Sequence, residues 1–174
     1  NAMYPTLRGG DGSEAAREGF FGEVDDVIAA TLAFRKLPSV DEKRVYLAGH
    51  SSGALLALLV AAARSDLYAG VYAFGPVGDI GEYGPPWAEL PVCERELRSP
   101  MWFLPSIQTP TLIAEGLYGN SDSVSVLEIQ YDGDPFPTVT PTIRFEVIDD
   151  RDHFDHLADS VDELVRRVKA GERP

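Results

Sequence analysis

Apolar residues recur along the chain with two different periods, one typical of strands and one typical of helices. Short runs rich in β-branched and aromatic residues predict four strands, at 45–48, 70–74, 111–115 and 143–148. Segments that read as helices lie around them, at 22–37, 54–63, 123–129 and 155–170. Strands that alternate with helices form a parallel sheet with helices on both faces. The pattern therefore predicts an α/β fold with a sheet of about four strands.

Two stretches lack a clear period. Residues 77–106 are dense in Pro, Gly and aromatic residues, and short helical turns are expected only at 94–97 and 100–104. We expect this segment to form a cap over the site, with Tyr83, Trp87 and Trp102 in contact with an apolar group of the substrate. The same aromatic residues could equally belong to the core. Residues 131–141 are predicted to form a Pro-rich loop.

Length and composition indicate one ordinary folded domain. The 174 residues are 44% hydrophobic and 25% charged, as in globular proteins that bury a sizeable core. Asn1 and Ala2 precede Met3 and resemble the remnant of a cleaved expression tag, so the domain is expected to span residues 4–174.

Charge and cysteine content narrow the class of partners. The net charge of −13 argues against binding to nucleic acid or to an anionic membrane, because phosphate groups would be repelled. No apolar run reaches membrane-spanning length. Cys93 is the only cysteine, so an internal disulfide is excluded, and a reducing, cytoplasmic location is expected.

The clearest chemical motif follows the first predicted strand. Residues 49–53 read Gly-His-Ser-Ser-Gly, between the strand at 45–48 and an Ala/Leu-rich helix. A serine on a tight strand-to-helix turn is presented clear of the sheet, and glycines on either side leave room for the turn. Ser51 is therefore the candidate nucleophile. The N–H of Ser52, at the positive end of the helix, is the candidate oxyanion donor.

A serine nucleophile needs a base, and the base needs an acid to orient it. His153 follows the fourth strand at the edge where parallel sheets place their ligands, and it is the predicted base. His156 is a weaker candidate, and His50 is expected to pack with its side chain directed away from the active face. Asp122 is the predicted acid after the third strand, and Glu115 is the second choice. Asp122 could instead simply cap the helix that follows it.

A metal site is the rival interpretation of these histidines. His153 and His156 lie near three aspartates, and such groups are ligands for divalent metals. However, the sequence offers no defined third ligand elsewhere, so no metal and no other cofactor is predicted.

The order of motifs resembles the catalytic half of prolyl-oligopeptidase-type serine hydrolases, a branch of the α/β-hydrolase superfamily. The resemblance is carried by the 49–53 motif, the preceding segment 37–45, the Arg8-Gly9 turn and the closing Asp152-His153-Phe154. It implies that Ser51 attacks an acyl carbonyl of an ester or peptide, that His153 relays the proton, and that Asp122 orients His153. Two details depart from the family pattern: Ala54 follows Gly53, and the loop before Asp122 is longer.

The resemblance also implies a truncated sheet. The family normally has eight strands, and the upstream strands supply the second oxyanion donor. We therefore expect this chain to lack the N-terminal strands and to be a fragment of a longer protein or a homodimer through the edge of its first strand. The alternative function is a weakly active or inactive hydrolase-like domain that acts by binding or assembly.

Overall fold

The computed structural model describes residues 1–10, 12–133 and 143–174. The helices are α1 (Glu23–Arg35), α2 (Ser52–Ala63), α3 (Val92–Glu96), α4 (Ser121–Asp132) and α5 (His156–Ala170). The strands are β1 (Tyr46–His50), β2 (Gly70–Phe74), β3 (Thr111–Gly116) and β4 (Ile143–Ile148).

The four strands form one parallel sheet in the order β1-β2-β3-β4. β2 and β3 are buried along their whole length because each has a neighbour on both sides. β1 pairs only with β2 among the described strands, so its other edge is open within this part of the chain. The predicted fold class, a parallel sheet of four strands with helices on both faces, is confirmed.

Alternating residues of the strands form two separate cores. Val71 and Ala73 of β2 belong to the core that includes α2 and α4. Tyr72 and Phe74 point to the opposite face, where they pack with residues of α5 such as Leu164. Residues 54–61 of α2 are apolar on every side of the helix, and all of them are therefore buried.

The segment 77–106 contains α3 and four single turns of 3-10 helix. Its first turn is held by Glu82, whose carboxylate accepts the N–H groups of Gly78 at 3.0 Å and Asp79 at 2.9 Å. The same carboxylate accepts the hydroxyl of Ser123 in α4. The segment is therefore fastened to the body of the fold at its start, while its role as a cap stays a prediction.

Several predicted boundaries differ from the structure by one to three residues, and the sequence pattern did not predict the single turns Ile80–Tyr83 and Trp87–Glu89. The differences at α4 bear on the site. α4 begins at Ser121 and not at 123, so Asp122 lies inside its first turn. α4 also continues to Asp132, which takes in the first residues of the predicted Pro-rich loop. The rest of that loop, residues 134–141, lies outside the described residues.

Among the described residues, the helices are all too short or too polar to cross a membrane.

Candidate active site

Ser51 occupies the turn between β1 and α2 with a backbone conformation that few residues other than glycine adopt. Its φ is 54° and its ψ is −120°. Its N–H donates to the carbonyl of Phe74 at 2.8 Å, and its own carbonyl accepts the N–H groups of Ala54 at 2.9 Å and Leu55 at 3.1 Å. Strained positions of this kind cluster at active sites. The turn has the backbone geometry of a nucleophile elbow, in which a serine hydroxyl stands at the edge of the sheet.

The two glycines of the motif have different roles. A Cβ on Gly49 would lie 2.1 Å from the carbonyl oxygen of Gly53, so the close approach of β1 and α2 requires glycine there. Among the described residues, a Cβ on Gly53 would meet nothing within 4 Å. The prediction that crowding explains both glycines is therefore wrong for Gly53.

His153 lies between β4 and α5, and its ring faces Glu115 near the end of β3. The distance from His153 Nδ1 to Glu115 Oε2 is 2.7 Å. The Glu115 side chain is fully buried, and it also accepts the N–H groups of Gly116 at 2.7 Å and Asn120 at 3.1 Å. These contacts fix the carboxylate, and the carboxylate in turn orients the imidazole.

Gly75 brings this pair close to the elbow. A Cβ on Gly75 would lie 2.6 Å from His153 Cε1 and 2.7 Å from Glu115 Oε2. Gly75 directly follows Phe74, whose carbonyl binds the N–H of Ser51. Among the described residues His153 bonds to Glu115 and His50 but forms no hydrogen bond to Ser51. Such catalytic hydrogen bonds are often long before substrate binds.

Asp122 does not reach His153 in the described structure. It is exposed in the first turn of α4, and no described hydrogen bond or ion pair joins it to the imidazole. Glu115, the second choice from the sequence, lies beside His153 instead. The physical reason is that β3 delivers Glu115 directly to the sheet edge, whereas the loop 117–120 carries Asp122 away to solvent.

The side chain of His50 lies against His153, whereas the sequence analysis predicts that it is directed away from the candidate site. The centroid of its ring lies 4.4 Å from that of His153, and its Nε2 is 2.9 Å from the His153 carbonyl oxygen. The sequence did contain a signal for this contact, because alternation along β1 places His50 on the same face as Tyr46, which packs with the core under α5.

The other histidine of the group, His156, begins α5 and is fully buried. Its Nε2 lies 3.1 Å from Glu115 Oε1. In the part of the chain that the structure describes, no three His, Cys, Asp or Glu side chains are grouped so as to hold a metal ion.

Tyr83 is the one predicted substrate residue that contacts Ser51 among the described residues. Its hydroxyl is buried and lies beside the Ser51 side chain, without a well-formed hydrogen bond in the described structure. Burial raises the pKa of Tyr83, and the contact with Ser51 opposes that shift only in part. The ring stacks on Phe20, with centroids 6.5 Å apart, and packs against the cluster that includes Leu55 of α2.

Trp87 and Trp102 lie farther from the nucleophile. Trp87 packs against Phe20, with ring centroids 6.0 Å apart, and so belongs to the same aromatic cluster as Tyr83. Trp102 is 49% exposed. No described contact joins either tryptophan to Ser51.

Ser52 is the first residue of α2, and it is exposed. The first N–H groups of a helix have no partner within the helix, and they carry its positive end. The N–H of Ser52 follows the nucleophile directly, where an oxyanion donor stands in elbows of this type.

Comparison with solved structures decides the fold. Over 88% of its length this chain superimposes on a Bacteroides ovatus protein provisionally named a dipeptidyl aminopeptidase IV, with a TM-score of 0.72 and 15% identity. It superimposes over 92% of its length on the α/β hydrolase GrgF of Penicillium, with a TM-score of 0.68 and 15% identity. The chain has the α/β-hydrolase fold.

Sequence comparison indicates which family of α/β hydrolases this chain resembles. Residues 20–91, which include the elbow, match the prolyl oligopeptidase family. The resemblance inferred from the motifs is thereby confirmed. A puromycin-hydrolyzing peptidase of Mycobacterium tuberculosis is similar over 85% of this chain, with a TM-score of 0.60 and 21% identity. No curated protein sequence matches the chain significantly.

The chain is much shorter than most of these relatives. It covers 23% of the Bacteroides ovatus protein and 24% of the Mycobacterium tuberculosis peptidase, but 75% of GrgF. The shared region is therefore a part of the peptidases and most of the compact α/β hydrolase.

Proposed function

We propose that this chain is a serine hydrolase that cleaves an ester or peptide bond through an acyl-enzyme intermediate. The observation that carries the proposal is the elbow serine, Ser51, at the same sheet edge as a histidine–carboxylate pair 2.7 Å apart. The match to the prolyl oligopeptidase family over the elbow region supports the same class.

In the proposed mechanism Ser51 Oγ attacks the acyl carbon of the substrate, and His153 Nε2 takes the hydroxyl proton. His153 then gives this proton to the departing alcohol or amine, which leaves the acyl group on Ser51. A water molecule attacks the acyl-enzyme in the same way and releases the acid. Glu115, in place of the predicted Asp122, holds the imidazole through Nδ1 and stabilises the imidazolium.

The N–H of Ser52 is the proposed donor to the oxyanion that forms during each attack. Tyr83 is the proposed contact for the acyl or side-chain group next to the scissile bond, because its hydroxyl lies beside Ser51. Trp87 and Trp102 are kept as proposed contacts for more distant parts of the substrate. An aromatic wall of this kind suits an apolar group.

The proposed partner is a small ester or a peptide and not nucleic acid, since the net charge is −13. The single cysteine supports a reducing, cytoplasmic setting. We also propose that two copies pair through the open edge of β1. A light-scattering mass of two chains supports that pairing, and a mass of one chain at all concentrations contradicts it.

The second candidate is an inactive hydrolase-like domain that acts by binding. It is favoured by the missing hydrogen bond between Ser51 and His153 in the described structure. Loss of one oxyanion donor alone typically lowers the rate by about 10²–10³.

Stopped-flow hydrolysis of p-nitrophenyl esters and of peptide p-nitroanilides tests the proposal. With the esters, a burst of p-nitrophenol equal to the enzyme concentration, followed by slower turnover, is the result expected of an acyl-enzyme, whereas the anilides report hydrolysis through p-nitroaniline. Ser51→Ala should abolish the burst in a chain that stays folded. A folded wild type that releases neither p-nitrophenol nor p-nitroaniline would favour the binding domain.

A further inference from the structure

Glu115 is shared by two histidines, and only one of them has a part in the proposed mechanism. Its Oε2 faces His153 Nδ1 at 2.7 Å, and its Oε1 faces His156 Nε2 at 3.1 Å. Both Glu115 and His156 are fully buried, so neither group has solvent as an alternative partner. The second histidine therefore touches the carboxylate on the side away from the catalytic ring.

The other nitrogen of His156 indicates which tautomer is present. Nδ1 lies 3.1 Å from the hydroxyl of Ser160, one turn along α5. A serine hydroxyl can donate or accept, whereas the Glu115 carboxylate 3.1 Å from Nε2 can only accept, so we assign the ring proton to Nε2 and the acceptor role to Nδ1. In the resting structure this N–H lacks the alignment of a full hydrogen bond, and no other described acceptor reaches it. A buried donor of this kind calls for an explanation.

Four titratable groups surround the His156 ring: His50 from β1, Asp152 and His153 from the loop before α5, and Glu115 from β3. Burial lowers the pKa of His156 below its ordinary value, and the two neighbouring histidines lower it further, while Glu115 and Asp152 oppose the shift. The net direction is downward, so the ring is neutral at pH 7 and acts through its N–H dipole rather than through a charge.

From this geometry we infer that His156 is a positioning residue for the catalytic carboxylate: its Nε2–H faces Glu115 Oε1 at 3.1 Å and draws charge from the carboxylate whose Oε2 faces His153. The inference rests on the proposed function in so far as His153 is the base. A donor on Oε1 draws negative charge from the carboxylate, and so weakens the stabilisation that Glu115 gives to a protonated His153. Without that donor, His153 should accept a proton at higher pH.

Histidine side-chain NMR tests the inference whether or not the chain turns over a substrate. The sequence has three histidines, so single substitutions assign every ring. In the wild type, His156 should be the Nε2–H tautomer at pH 7. Finding the Nδ1–H tautomer overturns the inference, because Nε2 would then have no proton to donate.

Two variants make the effect on His153 measurable. His156→Leu removes the donor, and His156→Gln places an amide N–H at a similar reach. We expect the titration midpoint of the His153 ring to rise by about half a pH unit or more in the leucine variant and to return close to the wild-type value in the glutamine variant. Equal midpoints in all three proteins would overturn the inference. If the leucine variant does not fold, the tautomer of His156 in the wild type is the test of the inference.

The pH dependence of labelling by a fluorophosphonate provides the corresponding readout on the nucleophile. The midpoint of its acidic limb should rise in His156→Leu and recover in His156→Gln. A loss of rate without any change of midpoint would mean that His156 only packs. A folded wild type that is never labelled contradicts the proposed function, whereas the NMR tautomer still decides the role of His156.

Discussion

At the scale of single residues, one acid lies near the end of the third strand and another follows it, and the structure makes their roles separable. Glu115 is buried against His153, and Asp122 is exposed on α4. Glu115→Gln should lower the rate of fluorophosphonate labelling by about 10²–10⁴, because an amide supports the wrong tautomer of the imidazole.

Asp122→Asn is the matched control, since it makes the same chemical change seven positions along the chain. Its labelling rate should stay within about twofold of the wild type, as expected for an exposed residue without a described contact to the site. A large loss of labelling rate in Asp122→Asn with little change in Glu115→Gln would instead identify Asp122 as the acid.

Tyr83 offers a hydroxyl at the nucleophile that remains protonated at neutral pH, since burial raises its pKa. A neutral buried donor beside Ser51 is suited to bind charge that develops on the substrate. Tyr83→Phe should lower kcat for ester hydrolysis by about tenfold or more, with a smaller change in KM. Tyr4→Phe, which removes the same hydroxyl at a position that is 92% exposed, is the control. An unchanged kcat in Tyr83→Phe would leave the ring as a packing residue only.

At the scale of elements, the β1–α2 elbow depends on one glycine and not on the other. Gly49→Ala would push a Cβ into the Gly53 carbonyl, which is backbone and cannot rotate away. The expected loss of unfolding free energy is about 1–3 kcal/mol, measured by urea denaturation.

Gly53→Ala tests the same element in the opposite direction. The site is open, and Gly53 lies in the first turn of α2. Alanine should leave the unfolding free energy unchanged or raise it by about 0.5 kcal/mol. A loss as large as that of Gly49→Ala would show that a part of the protein outside the described residues packs on Gly53.

The elements that could be predicted from the sequence are those fixed by local pattern. The strands, the apolar α2 and the tight turn at Ser51 all follow from short stretches of the chain. The sequence alone could not show that His153 pairs with Glu115 rather than with Asp122. The choice depends on where the loop 117–120 carries the chain before α4 begins. The path of this loop is set by packing between distant segments, which the spacing of residues along the sequence does not reveal.

At the scale of the whole molecule, burial of His156 links stability to pH. Its folded-state pKa lies below the ordinary value of 6.5, so the unfolded chain binds the proton more tightly. The stabilising contribution is therefore complete above pH 6.5 and is lost as the pH falls below that value. Urea denaturation should show a decreasing unfolding free energy from about pH 6.5 to pH 5. In His156→Gln this part of the slope should be smaller, and an identical slope would mean that other groups cause it.

Within the described four-stranded sheet the chain carries the elbow turn, the proposed base and its carboxylate. Catalysis at this edge is a property of the molecule as a whole. It depends on oxyanion donors and on the cover over the site as much as on the residues at the sheet edge.

The most direct test is covalent labelling with a fluorophosphonate, read as intact mass, for the wild type, Ser51→Ala and His153→Ala. An activated serine predicts one added label on the wild type, none on Ser51→Ala, and a rate lower by about 10³ or more on His153→Ala. Absence of labelling in a folded wild type, or labelling that persists in Ser51→Ala, would contradict the assignment of Ser51 as the nucleophile of a working hydrolase.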